Sequence, residues 1–185
     1  TLDFAGVSRC TLVGNSLGGA VALGLALDYP ELVDKLILMA PGGLSELHEY
    51  QQMPGMQKVF AVFGSGEPVT HAVMKDLFAT GLMHNPALAT DELVQERMQI
   101  MEIMNGHVMA TMQVPVLVER LREIKCPVLG FWGMDEKMMP ENGIMAMARN
   151  FEQLRLILVT QCGHWVMVEH EGMFNRACID FLKFG

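Results

Sequence analysis

The sequence predicts an α/β fold in which a parallel β-sheet is covered by helices on both faces. Short, uninterrupted apolar runs alternate with stretches of helical periodicity, and such runs are typical of buried parallel strands. Near the N-terminus the order is strand, helix, strand, which indicates a right-handed crossover unit. The chain has 185 residues, 51% of them hydrophobic and 18% charged, so it is long enough for one domain with a substantial core.

The predicted elements form two groups along the chain. The first group is a strand in residues 9–13 (RCTLV), a helix in residues 20–27 that Pro30 ends, and a strand in residues 35–40 (KLILMA). The second group is a strand in residues 127–133 (PVLGFWG), a helix in 144–150, a strand in 154–160 (LRLILVT) and helical periodicity over 169–183. Each apolar run is short enough for a strand and is bounded by turn residues.

Between the two groups, residues 44–113 have no convincing strand and are predicted to form a helical lid on the sheet. The core of the fold would then comprise residues 1–43 and 114–185. Nine methionines fall in the predicted lid, at positions 53, 56, 74, 83, 98, 101, 104, 109 and 112. Methionine is flexible and polarizable, so these side chains either form an adaptable surface for apolar ligands or fill gaps in an ordinary core. The sequence does not separate the two.

Charge and cysteine content exclude several classes of protein. The net charge of -8, with acidic residues scattered along the chain, argues against nucleic acid or an anionic membrane surface as the main partner. No apolar run is long enough for a transmembrane helix. The four cysteines show no CxxC spacing, so we expect a reduced cytoplasmic protein without a disulfide framework or a zinc site.

The motif Gly14-Asn15-Ser16-Leu17-Gly18-Gly19 stands between a predicted strand and a predicted helix. A G-x-S-x-G sequence in this setting forms a sharp turn that exposes the serine hydroxyl above the sheet. Ser16 is therefore the predicted nucleophile. The backbone N–H of Leu17, the next residue, would contribute to an oxyanion hole. Alone, the motif is weak, because a glycine-rich turn can hold a serine by chance.

A serine nucleophile needs a base and an acid that orients the base. In folds with this strand–turn–helix motif, the order along the chain is serine, acid, histidine. Asp135 follows the strand in residues 127–133, and His164 follows the strand in residues 154–160. Carboxyl ends of parallel strands meet at one edge, where such sheets place their sites. We therefore expect a triad of Ser16, Asp135 and His164. The five other histidines, at positions 48, 71, 84, 107 and 170, are expected to be surface or packing residues.

Arg97 is predicted to lie on the apolar face of a helix in the middle segment. It falls on the stripe that Leu93, Met101 and Met104 define in residues 91–105. A guanidinium on a face of this kind can clamp a carboxylate of the substrate. It can equally reach solvent or pair with a nearby glutamate.

Three segments resemble the meta-cleavage product hydrolases of aromatic degradation, a family with the α/β-hydrolase fold. They are GNSLGGAVALGLALDYPELVDKLILMAPGG, ERLREIKCPVLGFWGMDEKMMP and CGHWVMVEHEGMFNRACIDFL. The resemblance implies hydrolysis of the carbon–carbon bond beside the 6-keto group of a 2-hydroxy-6-oxohexa-2,4-dienoate, after ketonisation, without metal or cofactor. It also implies a homo-oligomer. Asn15 and Trp165 would line the pocket near the dienoate, and Arg97 would hold its carboxylate.

The sequence departs from the family in two respects. Leu82 stands at a lid position where some members have an aromatic residue, which leaves the substituent on the keto carbon open; the apolar lid favours a bulky aromatic or alicyclic one. Family members also have further strands and a second oxyanion donor before the nucleophile, so we expect a truncated, C-terminal part of the sheet. The alternatives are a carboxylesterase or lipase of the same fold, which would not need Arg97, and an inactive fragment that acts as a binding module.

Overall fold

The structure is a computed structural model that describes residues 2–104, 111 and 113–185. The predicted α/β fold with a parallel sheet is confirmed. Its four strands are β1 (Cys10–Asn15), β2 (Val33–Met39), β3 (Val128–Gly133) and β4 (Leu154–Val159), in the order β1-β2-β3-β4, and all pairs are parallel. Of the residues singled out in the sequence, His107, Met109 and Met112 lie outside the described ones.

Helices connect the strands and extend to the C-terminus. They are α1 (Leu2–Ala5), α2 (Leu17–Asp28), α3 (Leu47–Gln52), α4 (Pro54–Gly64), α5 (His71–Asp76), α6 (Asp91–Ile103), α7 (Asn142–Asn150), α8 (Val166–Glu169) and α9 (Glu171–Phe184). Short 3₁₀ helices span Pro30–Leu32, Pro86–Leu88 and Val118–Glu123, and a π-helical turn spans Leu77–Leu82. Within the described ranges, no helix combines the length and the apolar character that a membrane crossing requires.

The two central strands, β2 and β3, are largely buried on both faces, as uninterrupted apolar strands require, whereas Val13 of the edge strand β1 and Leu158 of the edge strand β4 are 61% and 48% exposed. Successive side chains of a strand point to opposite faces. In β2, Leu36 and Leu38 belong to a large cluster that includes Leu23 of α2 and Met147 of α7. Their neighbours on the other face of the sheet, such as Ile37, belong to a second cluster that includes Phe181 of α9. Helices therefore cover both faces and fix the strand ends on which the site is built.

The described residues between β2 and β3 form helices, which we call the helical segment: α3 to α6 with the π-helical turn Leu77–Leu82. Met74 and Met83 are buried in the same cluster as the sheet, and Met98 and Met101 pack against it. These four methionines therefore fill a core. Met104, in contrast, lies beyond the end of α6 and is exposed.

Candidate active site

Ser16 lies in a strained turn between β1 and α2. Its backbone has φ 53° and ψ −119°, a left-handed conformation that costs a non-glycine residue about 1–3 kcal/mol. Two hydrogen bonds hold it: the Ser16 N–H donates to the Met39 carbonyl (3.0 Å), and the Gly42 N–H donates to the Ser16 carbonyl (2.8 Å). The ends of β1 and β2 thus fix the serine at the carboxyl edge of the sheet.

The glycines around Ser16 are required by close packing. A Cβ atom on Gly14 would overlap the Gly18 carbonyl group, and a Cβ atom on Gly19 would overlap the side chain of Pro41. Only glycine at these positions lets α2 start directly above the end of β1, beside the loop after β2. Close packing therefore explains why two of the three positions in the motif are glycine.

His164 follows β4 and is hydrogen-bonded to Glu136, which follows β3. The His164 Nδ1 and Glu136 Oε2 atoms are 2.7 Å apart, and the two side chains are only 3% and 4% exposed. The other carboxylate oxygen, Oε1, accepts from the N–H groups of Met138 (2.6 Å) and Met139 (3.3 Å). Burial and these amides hold the carboxylate in one orientation toward the imidazole ring.

Among the described hydrogen bonds and ion pairs, the predicted acid Asp135 has none with His164, whose carboxylate partner is Glu136. The Asp135 N–H donates a hydrogen bond to the Cys162 carbonyl oxygen (2.9 Å), and this bond fixes the backbone where the chain leaves β3. In this turn the side chain of Asp135 faces outward and that of Glu136 faces inward. Asp135 Oδ2 lies 3.0 Å from Nδ1 of His84 in a pair whose side chains are 45% and 40% exposed.

Asn15 links the turn of Ser16 to the loop of His164. Its Nδ2 group donates to the Met39 carbonyl (3.1 Å) and to the His164 carbonyl (3.3 Å). The residue before the serine therefore touches the histidine directly, although 149 positions separate the two in the chain. Both donors of the Asn15 amide are used in this way, so the side chain holds two loops together.

Arg97 and Trp165 lie against each other. The guanidinium carbon of Arg97 is 5.1 Å from the centre of the Trp165 ring, within the range of a cation–π contact. Phe78, from the π-helical turn, packs against Trp165 with ring centres 4.8 Å apart. Among the described residues Arg97 forms no salt bridge with a carboxylate. Its positive charge is therefore available to an anion beside Trp165.

A cavity of about 550 Å³ opens beside Ser16 and Leu17. Leu17 is the first residue of α2, and no side chain of the described residues caps this helix start, so its N–H lies among the unpaired amides of a helix N-terminus. The other side chains that line the cavity are mostly apolar: Leu47, Tyr50, Met56, Phe60, Val114 and Met139. The described lining contains no charged residue.

Tyr50 is anchored by the loop after β2. Its hydroxyl oxygen accepts from the N–H groups of Gly43 (3.1 Å), Leu44 (3.2 Å) and Ser45 (3.2 Å). Gly43 has φ +83°, and a Cβ atom there would press on the Pro115 carbonyl oxygen and Leu117. The hydroxyl is thus occupied, and Tyr50 offers its ring to the cavity.

Cys162 lies close to His164 in the chain, but its thiol is not a reactive nucleophile. It is fully buried, and this burial, with Glu169, Glu136 and Asp135 nearby, raises the pKa of its thiol to about 12. The thiol is therefore protonated at neutral pH, and a protonated thiol is a poor nucleophile. In the described part of the chain, no three His, Cys, Asp or Glu residues are grouped so as to hold a metal ion.

Two site residues escaped the sequence-based prediction. Glu136 stands next to Asp135, and both carboxylates satisfy the chain order expected of an acid. Glu169, at the end of α8, accepts hydrogen bonds from the N–H groups of His84, Asn85 and Gly163. No motif indicates that role, because its partners are backbone amides, which have no sequence signature.

The chain is similar to known hydrolases along nearly its whole length. The model of the alpha/beta hydrolase fold family matches residues 2–171. A 2-hydroxy-6-oxo-6-phenylhexa-2,4-dienoate hydrolase of Burkholderia cepacia and a 2-hydroxy-6-oxononadienedioate/2-hydroxy-6-oxononatrienedioate hydrolase of Comamonas testosteroni are each 35% identical over 100% of this chain. The chain spans 66% of the length of each. The predicted similarity to dienoate hydrolases is confirmed.

Solved structures agree at the level of the fold. The meta-cleavage product hydrolase CumD of Pseudomonas fluorescens IP01 superposes with a TM-score of 0.80 at 23% identity, covering 98% of this chain and 67% of that one. The 2-hydroxy-6-oxo-6-phenylhexa-2,4-dienoate hydrolase of Rhodococcus sp. strain RHA1 superposes with a TM-score of 0.72 at 20% identity, covering 98% and 66%. An esterase of Thermogutta terrifontis also matches, with a TM-score of 0.74 at 19% identity, covering 98% and 68%.

Proposed function

Because the chain belongs to the alpha/beta hydrolase fold family, we propose that it is a serine-type hydrolase that cleaves a carbon–carbon bond of a 2-hydroxy-6-oxohexa-2,4-dienoate. The observation that carries the proposal is the buried His164–Glu136 hydrogen bond of 2.7 Å at the sheet edge where Ser16 turns. An imidazole oriented by a buried carboxylate is the base that a serine nucleophile requires. The names of the two relatives supply the substrate class.

In this proposal Ser16 is the nucleophile, His164 the base and Glu136 the orienting acid in place of Asp135. After ketonisation, the Ser16 hydroxyl oxygen adds to the C6 carbonyl carbon and its proton passes to Nε2 of His164. The N–H of Leu17 stabilises the resulting oxyanion. The C5–C6 bond then breaks, its electrons stay with the dienoate fragment, and C5 takes up the proton. Water activated by His164 hydrolyses the acyl-serine to a carboxylic acid.

Arg97 is proposed to bind the carboxylate of the dienoate. It has no salt-bridge partner in the described chain, and it lies against Trp165, the residue directly after His164. A free guanidinium offers two parallel donors to a carboxylate. An ester substrate needs no such clamp, which is why this contact favours the dienoate over a simple ester. Asn15 would keep the dienoate pocket in shape through its bonds to Met39 and His164.

The cavity beside Ser16 is proposed to hold the substituent on the keto carbon. Its described lining is mostly apolar and carries no charge, with Phe60 and Met56 from α4 and Met139 from the loop after β3. Transfer of a phenyl or alicyclic group into such a cavity is favourable, whereas an uncompensated carboxylate is costly to bury. The lining therefore supports a bulky apolar substituent, as in the name of the Burkholderia relative, over the second carboxylate of a dienedioate.

The helical segment is proposed to act as the lid of this site. It supplies Arg97, Tyr50 and Met56, and it is joined to the loops after β3 and β4 by the bonds His164 N–H to Leu82 carbonyl (2.7 Å) and Gly55 N–H to Lys137 carbonyl (2.8 Å). A cytoplasmic homo-oligomer stays a prediction from the sequence resemblance, and sedimentation of the full-length protein would test the oligomeric state.

The test follows the yellow dienoate chromophore, which is lost on cleavage. The full-length enzyme, Ser16→Ala and Arg97→Ala are compared with the 6-phenyl dienoate and with a simple acetate ester. We expect rapid loss of colour that requires Ser16. We also expect Arg97→Ala to raise KM for the dienoate strongly and to leave ester turnover nearly unchanged, because only the dienoate has the carboxylate.

Ester turnover without any effect on the dienoate, together with indifference to Arg97, would make the protein an esterase. Loss of colour that persists in Ser16→Ala would exclude the serine mechanism. Faster turnover of a 6-methyl dienoate than of the 6-phenyl compound would contradict the assignment of the apolar cavity to a bulky substituent.

A further inference from the structure

The carboxylate of Glu169 binds backbone amides of two separate parts of the chain. Oε1 accepts from the Gly163 N–H at 2.7 Å, in the loop after β4. Oε2 accepts from the N–H groups of His84 (2.8 Å) and Asn85 (3.0 Å), just after the π-helical turn of the helical segment. The Cys162 thiol also lies 3.9 Å from Oε1. Glu169 forms no salt bridge within the described residues, so the three backbone amides are its closest partners.

Both loops that Glu169 joins also touch at His164. The His164 N–H donates to the Leu82 carbonyl oxygen at 2.7 Å. Gly163 has no room for a side chain, since a Cβ atom there would overlap the Leu82 carbonyl oxygen and press on the His84 amide. The peptide before His164 is therefore held against residues 82–85 on one side and against Glu169 on the other.

We propose that Glu169 is a positioning residue that holds the backbone of His164 in place through Gly163 and couples it to the helical segment through His84 and Asn85. The inference rests on the proposed function, because it assigns to Glu169 the placement of the base for Ser16. Each carboxylate oxygen serves one loop, so a displacement of residues 84–85 is passed to the peptide that carries His164.

The substitution Glu169→Gln tests whether Glu169 positions His164 or is an ordinary surface charge. Glutamine has the same length but only one acceptor oxygen, and its NH₂ group would face amide donors on the other side. One of the two loops must then lose its partner. A displacement of about 1 Å in a catalytic group can cost on the order of hundredfold in rate, so we expect kcat to fall at least about tenfold.

The experiment uses the full-length enzyme with the 6-phenyl dienoate and with a small acetate ester. We expect Glu169→Gln to lower kcat for both substrates and to change KM little, because the base serves both reactions. The matched control is Glu171→Gln, a change of the same kind two residues on, at an exposed side chain with no hydrogen bond in the described structure. It should behave as wild type.

A second readout does not require turnover. The proton between His164 and Glu136 should give a far-downfield NMR resonance, which Glu136→Gln would identify by its loss. We expect Glu169→Gln to shift or broaden this resonance and Glu171→Gln to leave it unchanged. If the wild type turned over neither substrate, the proposed function would fail, and the resonance would still decide the role of Glu169.

Two results would overturn the proposal. One is a Glu169→Gln enzyme with kcat within twofold of wild type. The other is an unchanged resonance with a loss confined to KM for the dienoate, which would assign Glu169 to the helical segment alone. If Glu169→Gln does not fold, Glu169→Asp replaces it. Aspartate keeps the charge but is too short to reach both loops, so normal kcat and a normal resonance in that variant would equally refute the role.

Discussion

Exchange of the two neighbouring acids for their amides tests which of them orients His164. Glu136→Gln and Asp135→Asn each remove one negative charge and keep the size of the side chain, at adjacent positions after β3. The proposed mechanism predicts that Glu136→Gln is nearly inactive and that Asp135→Asn is nearly normal. The two variants serve as controls for each other.

The expected difference follows from burial. The His164 and Glu136 side chains are 3% and 4% exposed and 2.7 Å apart, so the amide would leave an imidazolium uncompensated or favour the wrong tautomer. In serine hydrolases that change lowers kcat by about 10⁴-fold, or roughly 5.5 kcal/mol of transition-state stabilisation. Asp135 and His84 are nearly half exposed, and such a surface pair contributes about 0–1 kcal/mol.

The assay is kcat for loss of the dienoate chromophore in full-length enzyme, with thermal unfolding to verify that both variants are folded. We expect Asp135→Asn to keep activity within about fivefold of wild type, as a difference below about 1 kcal/mol implies. A folded Glu136→Gln enzyme that keeps wild-type kcat, beside an Asp135→Asn enzyme that loses it, would show that the acid is Asp135 and that the reasoning from burial is wrong.

Three further predictions concern stability and reactivity. Gly14→Ala should destabilise the protein by about 1–3 kcal/mol or more, since its Cβ atom would overlap the Gly18 carbonyl group; urea unfolding measures this. Tyr50→Phe should cost about 1–3 kcal/mol in the same assay, because the hydroxyl accepts from three backbone N–H groups. At pH 8, native Cys162 should react only slowly with iodoacetamide, since a thiol of pKa about 12 is a thiolate in only about one molecule in 10⁴. Rapid alkylation of this residue, detected by mass spectrometry, would contradict that prediction.

The features that could be predicted from the sequence depend on local chemistry. Apolar runs such as residues 127–133 predict buried strands because burial on both faces leaves few polar positions. The turn at Ser16 could be predicted because its glycines have local causes, the overlap of Gly14 with Gly18 and of Gly19 with Pro41. The predicted strand bounds differ from the observed ones by a residue or two at most of the ends, where strand pairing, absent from the sequence, decides.

The acid could not be predicted because two carboxylates stand side by side. Whether Asp135 or Glu136 faces His164 depends on the bonds that fix the turn after β3, from the Met134 N–H to the Val159 carbonyl (2.8 Å) and from the Asp135 N–H to the Cys162 carbonyl (2.9 Å). These partners come from β4 and its loop. Nothing near position 135 in the sequence specifies them.

The position of Arg97 was only partly predictable. It lies on a half-buried side of α6, as the stripe of Leu93 and Met101 indicates, but the fully buried residue of this helix is Val94. Met104 falls beyond the helix end and is exposed. Periodicity alone places a side chain on a face within about one residue, and the Trp165 ring that Arg97 contacts comes from a distant loop.

Because of the π-helical turn Leu77–Leu82, the geometry of the site depends on the exact number of residues in this part of the helical segment. Each residue of an α-helix rotates the chain by about 100°, and a π-helical turn accommodates one residue more than an α-helical turn. Deletion of a single residue here would rotate Phe78 relative to Leu82 by that angle. The ring that packs on Trp165 and the carbonyl that accepts from His164 could then not both stay in place. This stretch should therefore tolerate hardly any change in length.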